Sequence, residues 1–296
     1  MIDIHGVIPA LVTPMNPDES VNEKELRNQI RRQIAAGVHG LFVFGTNGEF
    51  YALSEAEKLR VLEITVEENN GRLPVYAGTG CPGTADTVRL SRECEKIGAD
   101  ALSVITPYFA ALSQKELITH YETLAGSVSI PVILYNIPAR TNVSMTPDTV
   151  GKLSKIPGIA GVKDSSGNFD TILQFLEHTA GSDFAVLSGN DSLLLWALQA
   201  GGRGGVCGIA NLFPRTLVSV YELWKKGDFA GAKKAQDSIR AIRNCFRLGN
   251  PNSIVKMAAN LLGYPVGPCR KPFWSEDPAV EEEIARVLKE HYAGTE

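Results

Sequence analysis

The sequence predicts a (β/α)8 barrel of the TIM type followed by a C-terminal helical extension, and three observations carry the prediction. Short segments rich in valine and isoleucine alternate with longer amphipathic ones, the pattern of βα units around a parallel sheet. Eight such strand segments fall within residues 1–213, which suits a closed barrel better than an open doubly wound sheet. After residue 213 the strand pattern stops and helical periodicity continues alone, so a barrel over 1–213 and a helical region over 214–296 packed on it are expected.

The strands are expected near 7–12, 40–45, 74–79, 101–106, 131–136, 159–163, 184–188 and 204–209. Between them lie helix signals. Asn22 with Glu25, Ser54 with Glu57 and Ser113 with Glu116 stand at capping-box spacing, the first flanked by Val21 and Leu26 as a staple. Leu26, Ile30 and Ile34 recur every four residues before Gly37, which places one face of that helix on the sheet. Thr146-Pro147 opens a further helix, and Gly98 and Gly201-Gly202 close two more shortly before strands. In the extension, helices are expected near 214–226, 228–247, 251–262 and 278–291.

Composition narrows the function classes. The 296 residues are 44% hydrophobic and 21% charged with a formal charge of −4, the balance of a globular chain that buries a substantial core. Nothing in it favours nucleic acid or an anionic membrane. Met1–Gly6 lacks a basic segment followed by a long apolar one, and no run approaches bilayer length, so a cytoplasmic location is expected. Cys81, Cys94, Cys207, Cys245 and Cys269 are odd in number and widely spaced, the pattern of packing thiols. His5, His39, His120, His178 and His291 are scattered, which argues against a metal-dependent aldolase and against a metal site generally.

In a barrel of this kind chemistry sits at the carboxyl ends of the strands. The sixth strand, Ile159-Ala160-Gly161-Val162, ends on Lys163 and passes at once into Asp164-Ser165-Ser166-Gly167. Such a lysine either marks an exposed strand end or is an amine held in an apolar site. A desolvated amine loses the hydration that favours its ammonium form, attacks carbonyls and forms a Schiff base. The second strand runs into Gly45-Thr46-Asn47-Gly48-Glu49, whose small residues either make a capped tight turn or let backbone N–H groups converge on a carboxylate. The fourth ends at Thr106-Pro107-Tyr108-Phe109, the fifth at Tyr135-Asn136-Ile137-Pro138-Ala139-Arg140, and the seventh at Ser188-Gly189-Asn190-Asp191.

With these segments in order, the chain resembles the Schiff-base-forming class I aldolases of the dihydrodipicolinate synthase and N-acetylneuraminate lyase superfamily over nearly its whole length. The resemblance implies that Lys163 forms an imine with pyruvate or another 2-oxo acid and that Tyr135 carries protons. It implies that Thr46 and Asn47 bind the pyruvyl carboxylate, with Thr46 also passing protons to Tyr135, and that the Val206 carbonyl lines the pocket. Gly189 would leave space for substrate, Asp191 would bind a substrate hydroxyl or cap the helix that begins there, and Arg140 would meet a carboxylate on the second substrate. It further implies a homotetramer, a dimer of dimers, with the segment near Tyr108 close to a subunit boundary. No metal or organic cofactor is implied, because the lysine itself is the electron sink.

Two departures shape the expected reaction. Where the biosynthetic synthases carry a second tyrosine after the fourth strand, completing a proton relay across a subunit interface, this chain has Phe109. Asn47, followed by Gly-Glu-Phe, looks more like the branches acting on 4-hydroxy-2-oxoglutarate or 2-keto-3-deoxy sugar acids. The expectation is a pyruvate-dependent aldolase acting on a 4-hydroxy-2-oxo acid. The alternatives are 4-hydroxy-tetrahydrodipicolinate synthase using aspartate semialdehyde, a 2-oxo acid dehydratase or deaminase working through the same imine, and a non-catalytic 2-oxo acid sensor. A sensor needs neither Lys163 nor Tyr135.

Overall fold

Eight parallel strands form one sheet in the computed structural model, which describes residues 2–273 and 277–295. They are β1 (Gly6–Pro9), β2 (Leu41–Val43), β3 (Val75–Gly78), β4 (Ala101–Ile105), β5 (Val132–Asn136), β6 (Ile159–Asp164), β7 (Ala185–Ser188) and β8 (Gly204–Cys207). From β2 to β8 each strand pairs with the next, and β8 pairs with β1. The ring is completed between β1 and β2 at an Ala10–Phe42 bridge, where the Leu11 N–H donates to the Phe42 carbonyl at 2.9 Å. This is the expected (β/α)8 barrel.

Some strands stop before the hydrophobic runs that announced them. Phe44 turns to φ +60°, which ends β2 ahead of residue 45. Gly208 adopts φ −75°, ψ −42° and leads into a short 3-10 turn, ending β8 at Cys207.

Side chains alternate between the two faces of a strand. Ile8, Phe42, Tyr76, Ile133, Leu187 and Val206 form a buried cluster of their own inside the barrel. Val7, Leu41, Val43, Val75, Leu134 and Val162 pack outward, against the helices. By the register Ile133 to Gly161 and Tyr135 to Lys163, Tyr135 and Lys163 share the inward face of adjacent strands.

The helices are α1 (Glu23–Ala35), α2 (Glu55–Asn69), α3 (Thr84–Ile97), α4 (Gln114–Ala125), α5 (Pro138–Thr141), α6 (Pro147–Leu153), α7 (Phe169–His178), α8 (Leu194–Gln199) and α9 (Pro214–Lys225). Ser54–Glu57 and Ser113–Glu116 make full capping boxes. The Asn22–Glu25 pair does not: Asn22 accepts from the Glu25 N–H, but its own N–H donates to the Pro14 carbonyl, and the Glu25 carboxylate accepts from Asn28 instead. On α1, Leu26 and Ile30 are fully buried as expected, and Gln29 and Gln33 reach across to Asn211 and the Ala210 carbonyl, tying α1 to the turn after β8.

The 213/214 junction falls between β8 and α9, and α9 lies against β1 and α8 in the place of an eighth barrel helix. Among the described residues four further helices follow, α10 (Phe229–Ser238), α11 (Arg240–Asn244), α12 (Pro251–Leu261) and α13 (Pro278–Tyr292). They share one core with β1 and β8, built around Val7, Cys207, Leu217, Ile242, Ile254 and Tyr292.

The single helix expected over 228–247 is broken at Ile239. The Tyr292 hydroxyl enters the ladder there, donating to the Ser238 carbonyl at 2.7 Å and accepting the Ile242 N–H at 3.1 Å, the two groups that would otherwise bond each other. Among the described residues no helix is long and apolar enough to cross a membrane.

Candidate active site

Lys163 is 3% exposed at the inward end of β6, and its Nζ lies 3.8 Å from the centre of the Tyr135 ring and 5.0 Å from that of Phe42. The strand-end lysine is therefore held in the interior, where two aromatic faces stand in for water around a cation. Parallel pairing brings Tyr135 alongside, and its hydroxyl meets Thr46 Oγ1 at 3.2 Å. Behind them the outward residues lock the register. Asn136 Nδ2 donates to Asp164 Oδ1 at 2.7 Å, the Met145 N–H donates to Asn136 Oδ1 at 3.0 Å, and Ser166 Oγ donates to Asp164 Oδ2 at 2.6 Å. Burial raises the Asp164 carboxyl above its ordinary value, and the bonds from Ser166 and Asn136 oppose that shift.

In the turn after β2, the Gly48 N–H donates to the Gly45 carbonyl at 3.0 Å and the Glu49 N–H to the Thr46 carbonyl at 3.1 Å. Two amides of the turn are thus used internally, while those of Gly45, Thr46 and Asn47 meet no acceptor among the described residues. The Thr46 carbonyl also accepts from Asn252 Nδ2 at 2.7 Å, reached from α12. Glu49 ends the turn at φ +56° with its carboxylate inside the protein, 2.5 Å from Lys256 Nζ and accepting the Arg270 N–H at 2.8 Å. Lys256 donates its remaining contact to the Pro268 carbonyl at 2.8 Å. A dry ion pair thereby joins the turn that carries Thr46 to the C-terminal helices.

Gly189 lies beside the lysine. A Cβ there would stand 1.9 Å from Ser165 Oγ and 3.0 Å from Lys163 Cε, so the space this glycine leaves is needed first by the lysine stem and Ser165. Opposite, a Cβ on Gly208 would stand 2.6 Å from Asn47 Nδ2, which packs the amide against the end of β8 beside the inward-facing Val206.

Asp191 is buried and does not cap the short helix that begins there. Asn190 does so, accepting from the Ser192 N–H, while Asp191 Oδ1 accepts the Ile209 N–H at 3.0 Å. Burial raises its carboxyl, opposed by that hydrogen bond and by the charges of Arg243 and Lys163.

These residues enclose a cavity of about 300 Å³ at the carboxyl end of the barrel, with Thr46, Asn47, Tyr135, Lys163, Gly189, Asp191 and Val206 in its wall. Arg140, exposed on α5, stands between it and a second chamber of about 210 Å³ lined by Phe50, Tyr51, Tyr108 and Phe273. Tyr108 packs edge-on against Phe50, and among the described residues no hydrogen bond joins its hydroxyl to Thr46 or Tyr135. Phe109 is 96% exposed at φ +83° and points no polar group anywhere. Asn252, Arg243, Phe246 and Pro251 also line the main cavity. Sequence reasoning assigned these C-terminal residues only to helices. Asn250-Pro251 signals a helix start, yet no local pattern tells that the next side chain reaches a turn some two hundred residues earlier.

A buried lysine beside a tyrosine hydroxyl at the carboxyl end of a parallel barrel is the arrangement that suits a lyase of the Schiff-base aldolase class. The chain belongs to the dihydrodipicolinate synthetase family, whose model matches residues 3–291. It is 39% identical to the 4-hydroxy-tetrahydrodipicolinate synthase of Methanospirillum hungatei, covering 97% of this chain and 99% of that one. It is 40% identical to the synthase of the same name from Methanopyrus kandleri, covering 97% and 96%. In structure it is similar to the chloride-inhibited dihydrodipicolinate synthase of Acinetobacter baumannii complexed with pyruvate, with a TM-score of 0.95 and 31% identity over 99% of this chain and 100% of that one.

Proposed function

We propose that the protein is a pyruvate-dependent aldolase that forms or cleaves the C3–C4 bond of a 4-hydroxy-2-oxo acid through an imine at Lys163. The observation that carries this reading is the contiguous line Lys163, Tyr135 ring and hydroxyl, Thr46 hydroxyl, inside one cavity at the carboxyl end of the barrel. In the cleavage direction the Lys163 amine adds to the C2 carbonyl, and Tyr135 gives its proton to the departing hydroxyl of the carbinolamine. The resulting iminium withdraws electrons from C3. Tyr135 then takes the C4 hydroxyl proton as the C3–C4 bond breaks and the aldehyde leaves. The same proton is delivered to C3 of the enamine, and water, losing a proton to Tyr135, hydrolyses the imine to pyruvate. The Thr46 hydroxyl stabilises the phenolate between these steps. No metal or organic cofactor enters the cycle, since the iminium is the electron sink.

The test is intact-protein mass after incubation with pyruvate and borohydride, followed by peptide mapping. A single reduced pyruvyl adduct on Lys163 supports the reading, and its absence overturns it. Tyr135→Phe is expected to keep that adduct while turnover falls by about 10²-fold or more. An unchanged turnover number would move the proton-carrying role elsewhere.

A second reading, condensation of pyruvate with aspartate semialdehyde, is favoured by Arg140 at the cavity mouth and by the names of the relatives, and opposed by Phe109. Phe109→Tyr is expected to raise that condensation by about tenfold or more if a missing relay hydroxyl separates the two activities. No rise would place the divergence in the aldehyde pocket.

A further inference from the structure

Resting on the aldolase reading, we infer that Arg243 is a specificity-determining residue that binds a second carboxylate, carried on the aldehyde half of the substrate. Arg243, on α11, lines the same cavity as Lys163 and Asn47. Its guanidinium lies over the Phe246 ring, 4.6 Å from the centre, which shields one face from water.

Its donors are poorly used. Nη2 reaches Asn190 Oδ1 only at 3.5 Å, an oxygen already accepting the Ser192 N–H at 3.1 Å, and the buried Nε has no hydrogen-bond partner among the described residues. Elsewhere this chain seats arginine forks squarely on carboxylates: Arg31 holds Glu68 at 2.7 and 3.0 Å, Arg60 holds Glu23 at 2.9 and 2.8 Å, and Arg286 holds Glu283 at 2.8 and 2.8 Å. Arg243 offers the same planar fork without a carboxylate.

The charge around the cavity points the same way. Lys163, Arg140 and Arg243 line it against one acid, Asp191, whose ionisation burial disfavours. A ligand whose single carboxylate engages the Thr46–Asn47 turn leaves Arg140 and Arg243 unneutralised. A 2-oxo diacid neutralises both ends. Arg140 is exposed and hydrated, so the partly desolvated Arg243 is the stronger discriminator. The reading favours 4-hydroxy-2-oxo diacids over 2-keto-3-deoxy aldonic acids, which carry a single carboxylate.

The test compares 2-oxoglutarate with 2-oxopentanoate, equal in length and differing in the terminal carboxylate, as competitors of pyruvate for borohydride trapping on Lys163. The parent enzyme is expected to take 2-oxoglutarate at about tenfold or more lower concentration. Arg243→Gln is expected to reduce that preference to within about twofold, measured relative to pyruvate capture in the same protein, and Arg243→Lys to restore part of it. Absence of the preference in the parent enzyme overturns the inference without need of any variant. Its persistence in Arg243→Gln, or an equal loss of capture for all three oxo acids, does so too, the latter marking a purely structural role. Failure of the parent to capture pyruvate at all would sink the aldolase reading itself.

Discussion

Lys163→Ala is expected to abolish both borohydride-dependent capture of pyruvate and carbon–carbon bond turnover, with the rate falling by about 10⁴-fold or more. At about 1.4 kcal/mol per decade, such a loss exceeds what any one hydrogen bond at this site supplies, because it removes the electron sink and not merely a contact. Lys163→Arg separates charge from nucleophilicity. It keeps a cation near the Tyr135 and Phe42 rings yet forms no imine, so it is expected to be as inactive as alanine. The fold should tolerate the alanine variant, since the lysine's barrel-mouth position gives up only aromatic contacts while a buried cation is relieved of its desolvation. Substantial turnover in either variant would refute the imine mechanism.

Lys256→Met is expected to destabilise the protein by about 3–5 kcal/mol, because it strands the Glu49 carboxylate in a fully buried position. The thermal midpoint should fall by roughly 6–15 °C. Adding Glu49→Gln to the same protein is expected to recover a large part of the loss, since the uncompensated charge is then gone. The single variant should also raise the concentration of pyruvate needed for capture, because the pair anchors the turn that presents Thr46 and Asn47. A loss below about 1 kcal/mol would mean that water reaches the pair and that the turn is held by other contacts.

Much of the barrel was legible because its signals are local. Valine- and isoleucine-rich runs mark strands, Ser54–Glu57 and Ser113–Glu116 mark helix starts, and the two-residue period places Tyr135 and Lys163 on whichever face Ile133 and Gly161 occupy. Less legible were features decided by competition between distant groups. Asn22 and Glu25 have capping-box spacing, but Pro14 takes the amide that the box requires. The 228–247 segment reads as one helix, and a hydroxyl more than fifty residues later divides it.

Lys163 as the amine at the sixth strand end and Tyr135 on the strand before it were determined by the sequence alone, since strand order and period are written in neighbouring residues. Tertiary structure decided that Asn252 holds the Thr46 carbonyl, that Glu49 and Lys256 meet in a dry interior, and that Arg243 looks into the cavity. Each joins a barrel loop to a helix of the C-terminal extension. Such pairings depend on where the closed barrel places the extension, and no short-range pattern of residue types encodes that placement.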